Sequence, residues 1–89
     1  MTVWCVLKYT TKIVGKEPKY DIDVWTSELV DITTFTTKKD ALAYMNSRKH
    51  KYYKNEETWS PNWRRVYKHK IKNKYIIYTI TRQKVYGGK

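Results

Sequence analysis

The run Trp63-Arg64-Arg65-Val66-Tyr67-Lys68-His69-Lys70 interleaves cations with rings. Phosphate recognition uses that mixture. Cationic side chains displace counterions from phosphates without reading sequence. The planar fork of arginine binds two phosphate oxygens at once. Aromatic rings stack on bases at roughly 1–3 kcal/mol each. The candidate ligand-binding residues are Arg48, Lys51, Trp63, Arg64, Arg65, Tyr67, Lys68, Lys70 and Tyr75. Arg64-Arg65, beside Trp63 and Tyr67, is the first choice for a phosphate or base contact. Adjacent strand residues point to opposite faces, so one arginine of the pair serves. Trp59 and Trp63 flank a proline-containing loop, where they either plug a sheet end or form a stacking platform.

Catalytic chemistry finds little support. The chain has three glycines, none in a phosphate-cradling loop, and neither a G-x-S-x-G nor an H-E-x-x-H motif. The RRM consensus, a GXXG loop, heptads and C₂H₂ spacing are absent as well. His50 and His69 stand far apart in sequence, and His69 reads as a core or rim histidine. Asp21 and Asp23 share a strand face by alternation, yet no third acid completes a magnesium site. With the single cysteine, Cys5, there is no internal disulfide and no zinc spacing. No catalytic residue, metal or cofactor is assigned. A metal-independent ribonuclease using Arg64, Arg65, His69 and Tyr78 is the residual enzymatic reading.

The totals agree with a binder. Net charge is +11 over 89 residues, and its position matters more than its size. Six lysines and six acids balance in residues 1–47, whereas residues 48–89 hold thirteen Lys/Arg against two acids. An A/T-rich coding bias would explain abundant Lys, Tyr, Ile and Asn, but it explains neither this asymmetry nor the four arginines, all in the second half. Such asymmetry points to an anionic partner. The chain length fits one domain, residues 1–89, with 87–89 frayed. The opening MTVWCVLKYTTK lacks a signal peptide's basic leader and long apolar core. No stretch reaches a membrane-spanning length. A cytoplasmic protein without a membrane partner is expected.

These side chains need a sheet to hold them. Thr2 to Ile13 alternates as a strand, with Val3, Cys5, Leu7, Tyr9 and Ile13 as the expected core face. Val14 to Pro18 reads as a loop, Tyr20 to Trp25 as a second strand, and Glu28 to Phe35 as a third strand or a continuation after a bend. Thr37 caps a helix from Lys38 to about Arg48 or a turn beyond, with Asp40 completing a short capping box and Ala41, Leu42 and Met45 as its apolar stripe. Arg48, Lys49, Lys51 and Lys54 suit the negative end of its dipole. Asn55 to Asn62 reads as a loop. Trp63 to Ile71 and Tyr75 to Tyr86 then form a hairpin around Lys72-Asn73. In that register Trp63, Arg65, Tyr67, Ile76, Tyr78 and Ile80 meet the helix, while Arg64, Lys68 and Lys70 share the other face with Tyr75. The expected fold is α+β: a mostly antiparallel sheet of 4–5 strands with one helix, in the order β-β-(β)-α-β-β.

The short Lys/Tyr-rich chain, the strand MTVWCVLKYTT and the helix entry TTKKDALAYMNS resemble small accessory proteins of bacteriophages, of the host-takeover and anti-defence type. The resemblance implies a compact protein in the host cytoplasm, acting by binding and often as a homo-oligomer. The primary expectation is a non-enzymatic nucleic-acid binder using the basic half. The alternatives are a homo-oligomer sequestering a nucleotide or cyclic-nucleotide signal, and an inhibitor docking on an acidic host protein.

Overall fold

The computed structural model of the chain describes residues 2–55 and 62–84. It contains β1 (Thr2–Glu17), β2 (Ile22–Phe35), α1 (Lys38–Ser47), β3 (Tyr53–Asn55), β4 (Arg64–His69) and β5 (Lys74–Lys84). The five strands form one antiparallel sheet in the order β2-β1-β5-β4-β3, so α+β holds, with strands dominating. No helix among the described residues is long and apolar enough to cross a membrane.

Three elements differ from the sequence expectation. Val14-Gly15 does not end β1, which continues to Glu17; register shifts between Lys8 and Tyr9 and between Ile13 and Gly15 absorb the irregularity as bulges. The second and third expected strands are one strand, β2, so Thr26-Ser27 is no bend. The turn between β1 and β2 is Pro18–Asp21, and Asp21 takes φ 54°, a left-handed conformation that aspartate tolerates. The three-residue β3 lies just before the expected loop. Trp59, Ser60-Pro61 and 87–89 lie outside the described residues.

The helix begins where the cap is. Thr37 Oγ1 accepts from the Asp40 amide at 3.1 Å, and the Thr37 carbonyl accepts from the Ala41 amide at 3.2 Å. It ends at Ser47 with no basic residue in its last turn, so of the basic cluster Arg48 alone meets the helix end, as its C-cap. Ala41 and Met45, both fully buried, pack on Val6, Ile76, Tyr78 and Ile80, with Trp4, Phe35 and Leu42 at the margin. The helix therefore covers the even face of β1, not the odd one. Both faces of β1 are apolar, and only the helix's side of the sheet decides between them.

The β4–β5 hairpin places its faces as expected although its register does not match. Lys68 pairs with Tyr75 and Val66 with Ile77, two residues from the register of a Lys72-Asn73 turn. The loop is Lys70 to Asn73, organised by His69, whose Nδ1 accepts from the Ile71 and Lys72 amides at 3.2 and 3.1 Å. A shift of two preserves every side chain's face, because alternation has period two.

Candidate ligand-binding face

No described element packs on the face opposite the helix, although Cys5 and Val66 on that face are buried. Its side chains line up in rows across the strands. One row runs Ser27–Thr11–Tyr75–Lys68–Lys54 through all five strands. Its neighbours run Leu29–Tyr9–Ile77–Val66 and Ile32–Leu7–Thr79–Arg64. Ile13 and Trp25 pair beyond them. The middle of this face is apolar and aromatic, and its β3–β4 border is cationic.

Two rows meet at Tyr75. Lys68 Nζ lies 6.0 Å over its ring, and the Trp25 ring meets it edge-on at 5.0 Å. The two rings come together across β1, leaving Thr11 only 8 % exposed, with its hydroxyl 2.9 Å from that of Ser27. Charge is sorted by the pleat. Glu28 and Asp31 are in register with Thr10 and Lys8, so these carboxylates of β2 project to the helix side. Between described residues the ion pair formed is Lys16–Asp21, at the far turn.

The sequence-derived candidates therefore divide. Arg64, Lys68 and Tyr75 stand together on the open face. Arg65 and Tyr67 point to the helix side, where Arg65 donates to the Arg64 carbonyl at 2.8 Å and Tyr67 joins the aromatic core. Arg48 follows the helix, its guanidinium 4.7 Å over Tyr44. Lys51 sits in a turn with its ammonium 5.3 Å over Tyr52, and Lys70 is exposed in the hairpin loop. Trp63 is half exposed at the entry to β4, its carbonyl accepting from the Ile80 amide. Trp25, Tyr9 and Lys54 join the open face without having been singled out as ligand contacts. Trp25 is distant in sequence from the basic half, and only the pairing of β1 with both β2 and β5 brings it to Tyr75.

The helix side holds a second aromatic group. His50 Nε2 is 2.7 Å from the Tyr78 hydroxyl and stacks on that ring at 5.7 Å, with Tyr53 and Tyr67 edge-on. Burial, reinforced by Lys8 and Arg48, pushes the His50 pKa down; burial pushes the Tyr78 phenol up to about 12. Both are thus neutral near pH 7. The set Arg64, Arg65, His69 and Tyr78 is not brought together: Arg64 lies across the sheet from Arg65 and Tyr78, and His69 Nδ1 is engaged in the loop. Asp21 lies in the turn, so it shares no strand face with Asp23. No group of three or more potential metal-ligating side chains gathers among the described residues. Comparison with family models, curated proteins and solved structures found no match.

Proposed function

We propose that this chain binds single-stranded nucleic acid on the helix-free face of its sheet. The carrying observation is the Lys68–Tyr75–Trp25 contact on a face whose border bears Arg64 and Lys54. Rings give flat bases something to stack on, and the bordering cations follow the backbone. Unpaired bases are required, because a duplex hides the base planes from a sheet surface. The apolar rows between the rings favour bases over bare phosphate.

Anisotropy of a labelled oligonucleotide at stepped salt tests this. With about three phosphates contacted, log Kd should change with log salt at a slope of magnitude about 2. Tyr75→Ala should weaken binding by about 5- to 140-fold, the equivalent of one stacked base. Lys68→Glu should weaken it and flatten the salt dependence. Docking on an acidic protein would respond to Lys68→Glu but not to Tyr75→Ala. Wild-type affinity in both variants would remove this face from the interaction.

A further inference from the structure

On the helix side, past the C-terminal end of α1, no described element covers the sheet as far as the β1–β2 turn. A cavity of about 490 Å³ opens there. Its lining includes Thr10, Lys12, Thr26, Glu28, Lys74 and Tyr53, and it is bordered as well by Thr11, Ser27 and Tyr75. We infer that this cavity is a second ligand site, which takes a free mononucleotide with its phosphate between Lys12 and Lys74.

The first ground is an electrostatic conflict. Lys12 and Lys74 are directly opposite each other in the β1–β5 register. Like charges at opposed positions destabilise a sheet. Neither lysine is ion-paired among the described residues, where the ion pair is Lys16–Asp21. Glu28 belongs to the same cavity but is in register with Thr10, one pair further along, so it does not separate the two ammonium groups. A bound phosphate would. It would also meet the Thr26 hydroxyl, since Thr26 is the other neighbour of Lys12 in register.

The second ground is the wall. Tyr53 borders the cavity and is held by two imidazoles, edge-on to His50 at 5.7 Å and to His69 at 4.9 Å. A ring braced in this way is a ready stacking surface for a base. Glu28 supplies an acceptor for a ribose hydroxyl or a base N–H. Two cations, one carboxylate, hydroxyls and an aromatic wall form a nucleotide's complement, and the volume lies within the ordinary range for small ligands. A polymer would need cations continuing beyond the cavity. Here β1 and β2 continue instead into a segment where Lys16 and Lys19 are outnumbered by Glu17, Asp21 and Asp23, and Lys16 is paired with Asp21.

The two lysines that would hold the phosphate alternate to the opposite side of the sheet from Lys68 and Arg64, although Tyr75 borders this cavity as well. Thermal melts with AMP, UMP and inorganic phosphate, each at about 10 mM, read it directly, because a ligand of the native state raises the melting temperature. The nucleotides should stabilise the wild type more than phosphate does. Lys12→Gln with Lys74→Gln should abolish the shift, while Lys68→Glu should leave it intact. Lys12→Gln alone should raise the melting temperature of the ligand-free protein by relieving the repulsion, a readout independent of ligand. A nucleotide shift that survives the double substitution, or no shift with any of the three probes, overturns the site. Weakened oligonucleotide binding in Lys68→Glu with the nucleotide shift retained would confirm that the two sites act separately.

Discussion

His50 and Tyr78 lie 28 residues apart and share a hydrogen bond of 2.7 Å beneath the helix. Tyr78 is only 2 % exposed. Their shifts make stability depend on pH. The His50 pKa is lowered on folding, so below about 6.5 the unfolded chain takes up a proton that the native state resists. Stability is therefore full above pH 6.5 and declines as pH falls from there through the native value. Tyr78 is raised to about 12, so the native state keeps a proton that the unfolded chain releases near pH 10. Stability should decline again between pH 10 and 12. Melting temperature against pH should show both limbs; His50→Phe should flatten the acid one and Tyr78→Phe the alkaline one. At this scale the sequence was partly readable. His69 on an alternating strand reads as a rim histidine, and it caps the hairpin loop. His50 has no periodic signal, and its role depends on Tyr53, Tyr67 and Tyr78 arriving from three strands.

Among the elements, α1 was the most legible, because its signals are local. Thr37 supplies the cap, and Ala41, Leu42 and Met45 fall at helical spacing. Thr37→Ala should cost about 1 kcal/mol through the lost bond to the Asp40 amide. Met45→Ala should cost about 2–5 kcal/mol, because Met45 is fully buried against the sheet. Urea denaturation measures both, and a Met45 effect as small as that of Thr37 would contradict the packing described. The long strands were legible in direction but not in their ends, and the expected order β-β-(β)-α-β-β gives way to two strands before the helix and three after it. Val14-Gly15 punctuates the sequence, yet bulges carry β1 through it. Three residues of β3 are too few to show a period. The β4–β5 register slipped by two from the shortest turn, an error that alternation forgives, whereas for β1 both faces were apolar and the pattern could not choose. The open-face group of Arg64, Lys68 and Tyr75 was accordingly readable from the hairpin, while Trp25 required the whole sheet.

The whole molecule is long for its size. Its radius of gyration is 15.6 Å and its longest extent 51 Å, whereas a compact chain of this length has a radius of about 12 Å. The excess comes from β1 and β2, since β5 stops pairing with β1 at Lys12–Lys74. Charge is distributed along with shape. From Tyr20 to Thr37 the chain carries four acids and no Lys or Arg, so β2 is an acidic strand on a basic protein. It is also an edge strand, 14 residues long, with Val24, Trp25, Leu29, Val30 and Ile32 exposed and no Lys, Arg or Pro to blunt it. Self-association through this edge is expected. Sedimentation at rising concentration should show mass increasing for the wild type, and Val24→Lys with Ile32→Lys should hold the protein at the mass of one chain.

The stretch beyond Lys12–Lys74 has a cost of its own. A lone ribbon of two strands is marginal in water, so this outer length borrows its order from the rows at its root. Opening should start at the Pro18–Asp21 tip and travel inward as far as the contact of Trp25 with Tyr75. Amide exchange should then be fast on the tip side of that ring contact and slow on the other.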